Sequence, residues 1–281
     1  ATGDADVAAR AGCPVVVGRA EDGLMSPASL MLVVEDVDSA AFERHCKETG
    51  DVRFRQAIAE LRAAGEWPFP FGIINCCELP RRGRFFLNTL ELVGYPLDGT
   101  KAADLTQGMI VGRKMAVELM ATLRRAVPGF AGAQLVQTSA YLGVRDTRRI
   151  AGLYTVPVAD IVRGERYPDT VALSGGPWDM SDPKHAAYQR MDGVQRALPW
   201  SEVPYRALVP QGVENLIVAG RSVSSEWDAL GVFRIMPACY AMGQAAGAAA
   251  ALVVENGAPF AGLDTRELRR RLAEDGAILD P

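Results

Sequence analysis

The order of apolar and polar positions predicts a strand followed by a helix early in the chain. An apolar run rich in Leu and Val extends from Ser29 to Val37 and predicts a strand. Ser39–Ala64 carries aromatic and aliphatic residues at helical spacing, which predicts one long helix. The two prolines of Trp67–Pro70 end that helix, since proline breaks helical hydrogen bonding.

A hairpin and a second long helix are predicted next. Phe71–Leu79 and Arg84–Gly94 are apolar stretches on either side of the turn-forming Pro80–Gly83, which is the pattern of two paired strands. Asp104–Ala126 repeats apolar residues at helical spacing, with an acid at its start and arginines at its end. Pro128 then stops the helix.

The second half begins with a long polar stretch and returns to regular structure near its end. Tyr154–Pro210 is rich in Pro, Gly and polar residues, so we expect a mostly irregular, substrate-facing excursion with short strands at best. Asn215–Arg221 predicts an apolar strand and a Gly-Arg turn, and a helix begins near Pro237. Asp264–Asp275 predicts a last helix, capped by Asp264 and ended near Gly276.

The helix after Pro237 has an unusually small-residue face. Gly220 lets the main chain approach a neighbour closely, and Gly243 and Gly247 stand among many alanines. Such a face suits either a bound cofactor or the backbone of another element. Composition alone leaves these two alternatives open.

Composition and charge favour a soluble protein that handles small molecules. The chain has 281 residues, is 49% hydrophobic and 23% charged, and carries a net charge of −4. It has no basic run with interleaved aromatics, which disfavours nucleic acid and anionic membranes as partners. The longest apolar run, Ala245–Val254, is too short to span a bilayer. We expect a small-molecule substrate, no membrane, and a homo-oligomer or an N-terminal partner chain as possible assemblies.

The cysteines indicate reduced thiols. Their odd number and the lack of C-x-x-C spacing disfavour a disulfide framework and a zinc site, so we expect no metal and a cytoplasmic location. The adjacent Cys76 and Cys77 suit either a redox pair or buried thiols, and an apolar strand favours buried thiols. The five cysteines are Cys13, Cys46, Cys76, Cys77 and Cys239.

The amino-terminal segment Ala1–Asp6 predicts a turn that connects two elements. It lacks an initiating methionine and a targeting segment. Because Gly-Asp turns most often join two elements, we expect a truncated chain that has lost the strand before this turn.

Four segments in the expected order give the chain a resemblance to a known family. They resemble FAD-dependent oxidoreductases of the broad glutathione-reductase-like type, in which a substrate domain is inserted between two cofactor-binding parts. The resemblance implies a mixed α/β (α+β) fold with a partial Rossmann-like FAD-binding domain over 1–20 and 211–281 and an inserted sheet-and-helix substrate domain over 21–210. The segments are Ala1–Gly12, Leu142–Gly152, Val203–Pro210 and Asn215–Gly247.

The same resemblance implies FAD as cofactor and a set of contacts to it. The late Gly-Arg turn and the helix after it would reach the ribityl chain and flavin ring. The helix that opens near Pro237 would direct its amide dipoles at the pyrimidine oxygen. The implied cofactor contacts are Gly3, Asp4, Gly220, Arg221, Ser222, Pro237 and Gly243.

A basic cluster is the first candidate for gripping an anionic substrate. Arg145, Arg148 and Arg149 suit bidentate contact with a carboxylate, although such clusters are more often a solvated or ion-paired face. Arg206 and Arg234 follow as candidates. Asp146, which lies among these arginines, would orient them.

Acid–base chemistry is poorly provided for. Trp227–Asp228 occupies a place where the nearest relatives would be expected to have a histidine and a glutamate. Of the two histidines, His45 lies in a predicted helix, and His185 is the candidate proton carrier. A lone histidine of this kind is more often a surface residue without a catalytic role.

Two functional hypotheses follow, with a third ranked far below. The first is a flavin-dependent oxidoreductase that moves hydride between an organic substrate and flavin N5, present here as a carboxy-terminal portion. The alternative is a non-catalytic or split-enzyme subunit that keeps the scaffold for binding or assembly, since no G-x-G-x-x-G fingerprint occurs. A hydrolase using Ser222, Ser224 or Ser225 lacks both G-x-S-x-G and an evident histidine partner.

Overall fold

The computed structural model describes residues 3–185 and 190–280, and Ala1 and Thr2 of the first motif lie outside the described residues. The described chain forms two compact units. The first takes in residues 3–25, 145–180 and 190–280, and the second takes in 26–144 and 181–185. The mixed α/β fold class is confirmed.

The described elements follow one another with several short strands between longer helices. The helices are α1 Asp6–Arg10, α2 Ser39–Thr49, α3 Arg55–Ala63, α4 Ala102–Ala126, α5 Val158–Arg163, α6 Trp227–Phe233, α7 Met236–Asn256 and α8 Thr265–Glu274. The strands are β1 Val15–Val17, β2 Ser29–Glu35, β3 Cys76–Glu78, β4 Phe85–Glu91, β5 Gln134–Thr138, β6 Arg148–Ile150, β7 Thr170–Ser174 and β8 Ser201–Pro204.

The second unit is an antiparallel sheet covered by helices. Its strand order is β3-β4-β2-β5, with Val33 opposite Phe86 on one side and Gln137 on the other. The long helix α4 packs on this sheet through residues spaced by about one turn. Gly112 brings the helix close to β2, since a Cβ there would lie 3.2 Å from the Leu30 side chain.

The first unit gathers two small antiparallel sheets, β1-β6 and β7-β8, and the helices near the carboxyl end. Helix α7 packs against β7 and α8. Its inner face repeats small and apolar residues at helical spacing, which buries it in the core of the unit. The buried residues of that face are Ala238, Met242, Ala245, Ala249 and Leu252.

Most of the predicted elements are confirmed. The strand after Ser29, the hairpin around Pro80–Gly83, the helix that ends at Ala126 and the last helix all form. Asp264 caps α8 by accepting from the Arg266 N–H at 3.0 Å. The hairpin strands are shorter than predicted, because only Cys76–Glu78 pairs with β4.

The single helix predicted over Ser39–Ala64 is wrong, since two helices form there. Gly50 takes a left-handed conformation and ends α2. The Asp51 carboxylate then accepts from the N–H groups of Arg55 and Gln56, both at 2.8 Å, and so starts α3. Phe54, with φ 55°, makes the bend between them.

Two further predictions are corrected in the first unit. Tyr154–Pro210 contains helix α5, which proline precedes and Gly164 ends in a left-handed conformation. The apolar stretch before Gly220 joins no strand among the described residues, because its main chain lies beside a turn: Val218 N–H donates to Leu208 O at 2.8 Å.

The compact units do not follow the expected 21–210 substrate domain. Residues 145–180 and 190–210 belong to the first unit, together with the residues after 211. These residues supply β6, β7 and β8, so the segment predicted as an excursion contributes to the core of that unit.

Helix α7 is the one helix within the described ranges that is long and apolar enough to cross a membrane. Its inner face packs in the core of the first unit, and one such helix is weak evidence for a membrane span.

Candidate functional site

The Gly-Arg turn between the apolar stretch and α6 carries several of the predicted cofactor contacts. Gly220 has φ 86°, a conformation that glycine adopts without strain. Arg221 Nη2 donates to Asp4 Oδ1 at 2.6 Å, so these two predicted contacts touch each other. Gly3 precedes Asp4 with φ 74°.

Thr147, a residue that the sequence did not single out, joins this pair. Its hydroxyl donates to Asp4 Oδ1 at 2.8 Å and accepts from Arg221 Nη1 at 3.1 Å. Thr147 is 143 positions from Asp4 and 74 from Arg221 along the chain, so no local pattern signals these contacts.

Arg148, which follows Thr147 in the chain, anchors the amino-terminal turn. Arg148 Nη1 donates to the main-chain oxygen of Asp4 at 3.1 Å and to Asp6 Oδ1 at 2.7 Å. Asp6 does not cap a helix: Ala5 is the cap residue of α1, and Asp6 pairs with Arg148.

Ser222 is the buried polar group of the turn whose hydroxyl remains unsatisfied. Its side chain is fully buried, and Oγ has no hydrogen-bond partner among the described residues. Its carbonyl accepts from the Ile150 N–H at 3.0 Å, which fixes the turn against β6. Buried polar groups are almost always hydrogen-bonded, so an orphaned hydroxyl here is what a polar cofactor would satisfy. The residues of this turn therefore fit the polar chain of a flavin dinucleotide.

The start of α7 is accessible. Pro237 stands in the first turn, where its missing N–H costs nothing. Met236 and Tyr240 are 69% and 71% exposed, and a Cβ at Gly243 would meet no atom within 4 Å. Gly243 thus lies on an open face of the helix.

Arginines surround the same region, and each is held differently. Arg234 donates through Nε and Nη2 to Asp179 O at 3.0 and 2.5 Å, and Nη2 lies 2.8 Å from the Asp179 carboxylate. Burial lowers the pKa of Arg234, Asp179 counteracts this, and the positive charge of Arg145 lowers it further. Arg145 and Arg234 therefore lie near enough to repel one another.

Cys239 lies in α7 with its thiol towards backbone carbonyls. Its Sγ lies 3.4 Å from Arg234 O. Burial raises the pKa of the Cys239 thiol, whereas the charges of Arg221 and Arg234 lower it. The field at the start of α7 is therefore positive, in agreement with the helix dipole.

Arg149 is buried and bound to main chain. Nε donates to Ser225 O at 3.0 Å and Nη2 to Gly18 O at 2.8 Å, while Nη1 lies 4.0 Å from Asp146. Burial lowers the pKa of Arg149, and the charge of Asp146 partly offsets this. Its role as a substrate grip stays a prediction, and its contacts tie β6 to two other segments.

The residues at 227 and 228 have clear structural partners. Trp227 Nε1 donates to the fully buried Asp146 at 2.8 Å. Asp228 receives a bidentate pair from Arg190, at 2.8 and 3.0 Å. Because these contacts join residues distant in sequence, the pattern did not predict them.

The remaining candidates lie elsewhere. Arg206 stacks over the Tyr154 ring, 4.6 Å from its centroid, and pairs with Asp169 at 3.3 Å. His185 belongs to the second unit, where its exposed ring has Nδ1 3.2 Å from Asp182 Oδ1. A carboxylate partner is what a proton-carrying histidine needs.

Comparison with known proteins identifies the family. A family model described as FAD dependent oxidoreductase matches residues 1–272. Comparison with curated proteins and with solved structures gave no match. With nearly its whole length matched, and with a turn and helix start that fit a flavin dinucleotide, this chain belongs to the FAD-dependent oxidoreductase family, whose cofactor is FAD.

Proposed function

We propose that the protein passes hydride between a small organic substrate and N5 of FAD, the cofactor supplying that chemistry. The observation that carries the proposal is the turn at Gly220–Ser222, which combines a close main-chain approach, a positive side chain and an orphaned buried hydroxyl. Gly3 and Asp4 border it through the Asp4–Arg221 contact.

The start of α7 supplies favourable charge in this proposal. The amides of its first turn and the arginines at 221 and 234 create a positive field, which stabilises negative charge on a bound group. Pro237 helps by fixing the backbone of that turn.

The substrate side is assigned to arginines. Arg145 lies near enough for its positive charge to lower the pKa of Arg234, so two guanidinium groups of this region would attract an anion. A carboxylate or other anionic substrate is therefore favoured. Arg149 would support the site from the interior. His185, in the second unit, stays a predicted proton carrier with Asp182 as its carboxylate partner.

We propose further that the ADP end of FAD is held by residues outside these 281. The sequence has no G-x-G-x-x-G fingerprint, and α7 presents an open face around Gly243 and Gly247. A dinucleotide-binding segment in the same polypeptide or in a partner chain would cover that face. The five free cysteines suit a reducing compartment such as the cytoplasm.

The alternative is a non-catalytic or split-enzyme subunit, favoured by the same missing fingerprint. The two separate on whether the coding sequence joins these residues to a fingerprint segment. If the coding sequence contains no such segment, flavin should bind only when a second chain is added. The oxidoreductase hypothesis requires that flavin binds under that condition.

The turn is tested by replacing Gly220 with valine in the natural-length protein. A side chain at φ 86° is strained and blocks close approach, so we expect flavin to be lost on gel filtration. Gly276→Val is the matched control, because Gly276 has φ 85° but lies after α8. Arg221→Met should also lose flavin. Full retention in both turn variants would refute the assignment.

A further inference from the structure

A buried hydroxyl connects two residues of the proposed flavin site. Thr147 is fully buried and lies between Asp4 and Arg221, which come from opposite ends of the chain. Arg221 also donates directly to Asp4, and to the same carboxylate oxygen that Thr147 reaches. The three side chains therefore form a closed ring of hydrogen bonds.

The ring fixes the direction of each group. A hydroxyl has one proton, and Thr147 gives it to Asp4 while a lone pair accepts from Arg221. A guanidinium has five N–H donors, and the ring uses one on Nη1 and one on Nη2. Within the described ranges the other donors of Arg221 have no hydrogen-bond partner, so they remain for a ligand.

We propose that Thr147 is a positioning residue for FAD, which holds Asp4 and Arg221 in the arrangement that receives the cofactor. The inference rests on the proposed function, since it concerns the same turn. Without the hydroxyl, Asp4 and Arg221 keep only their direct contact, and the guanidinium can rotate about it. Removing charge-assisted hydrogen bonds then lowers affinity for the cofactor rather than only stability.

The experiment compares Thr147→Val with Thr147→Ser in the natural-length protein. Valine keeps the shape and removes the hydroxyl, whereas serine keeps the hydroxyl. The readouts are the Kd for FAD, from quenching of flavin fluorescence, and the circular dichroism of the bound flavin. We expect Thr147→Val to raise the Kd about 5- to 20-fold, the loss of one or two charged hydrogen bonds, and Thr147→Ser to stay near wild type.

Thr122→Val is the matched control. Thr122 is also buried, and its hydroxyl donates to Glu118 O at 3.1 Å within α4. It should leave the Kd for FAD unchanged. Thr147→Ala removes the same hydroxyl with less bulk, so a folding defect peculiar to valine would not conceal the result.

The outcomes are distinct. An unchanged Kd in Thr147→Val and Thr147→Ala, with only a lower Tm, would overturn the inference and make Thr147 structural. A wild-type protein that binds no FAD, alone or with a fingerprint-bearing partner, would overturn the proposed function and this inference with it. A raised Kd for FAD in Thr147→Val, with a low Kd in the wild type and in Thr147→Ser, supports the inference.

Discussion

Trp227 shows how one residue can hold the interior around the candidate site. The guanidinium groups of Arg19 and Arg190 lie over its ring, 5.9 and 5.5 Å from the centroid, while its N–H donates to buried Asp146. The place at which an acid or base was expected thus holds a residue that orients a carboxylate. Asp146 in turn lies near Arg149.

Trp227→Phe tests this arrangement. Phenylalanine keeps an aromatic ring but leaves the buried Asp146 carboxylate with one donor fewer, so the free energy of unfolding should fall by about 1–3 kcal/mol. Denaturant unfolding measures it. Trp178→Phe is the control, because it removes a bond from Trp178 to the Asp228 carbonyl at a partly exposed site. An equal loss in both would contradict a special role for the Asp146 contact.

The adjacent cysteines should differ in reactivity. Cys76 and Cys77 point to opposite faces of β3, and Cys77 is exposed, so the prediction of two buried thiols fails for Cys77. Burial raises the pKa of the Cys76 thiol from 9.0 to about 12. Because the thiolate is the nucleophile, iodoacetamide at mildly alkaline pH should label Cys77 first, as peptide mass spectrometry would show. Equal labelling rates in the folded protein would contradict this.

The same shift gives a pH dependence of stability. The folded-state pKa of Cys76 exceeds its unfolded value. The contribution of this thiol to the free energy of unfolding is therefore full below pH 9.0 and is lost as the pH rises towards 12. Cys76→Ala should therefore flatten the fall in the free energy of unfolding over that range. An unchanged alkaline slope would count against the burial of this thiol.

Single residues also mark the limit of sequence-based prediction. Gly220, Arg221 and Asp4 are predicted cofactor contacts from the resemblance, and Arg221 and Asp4 lie in direct contact. Thr147 and Asp146 gained their roles from partners 74 or more positions away, which no local periodicity encodes.

At the scale of elements, two helices use glycine for different purposes. In α4, a Cβ at Gly108 would lie 2.6 Å from Leu142 and 3.0 Å from Leu97. In α7, a Cβ at Gly247 would meet nothing within 4 Å. The first glycine allows close packing within the second unit, and the second belongs to an open face.

Alanine substitution distinguishes the two helices. Gly108→Ala should lower stability by about 1–3 kcal/mol through overpacking. Gly247→Ala should raise the stability of the 281-residue chain by up to about 1 kcal/mol, because alanine is the better helix former. Thermal unfolding of both variants measures this. A destabilised Gly247→Ala would show that the α7 face is already covered in this chain.

Elements with strong local signals were predictable, and those that depend on one bend or a distant partner were not. The hairpin at Pro80–Gly83 and the cap at Asp264 follow from turn and cap chemistry. Gly50 and Asp51 mark the break between α2 and α3 locally, but the bend itself uses Phe54 in a left-handed conformation, which its residue type disfavours. Helix α5 does carry a local signal, the proline before it and Gly164 after it.

In the whole molecule, the first unit carries the candidate flavin turn, and the second unit, built on the four-stranded sheet, has its own hydrophobic core. The first unit is assembled from three stretches of sequence, so its extent depends on long-range contacts and could not be drawn from composition shifts. The family itself was recognisable because its segments occur in order along nearly the entire length.

We propose that this chain forms the flavin side of an FAD enzyme. The most direct test is the absorbance spectrum of the purified natural-length protein, with the cofactor identified after release by denaturation. We expect a yellow protein that releases FAD in near-stoichiometric amount, directly or after a fingerprint-bearing partner chain is supplied. A colourless protein that takes up no FAD under either condition would contradict it.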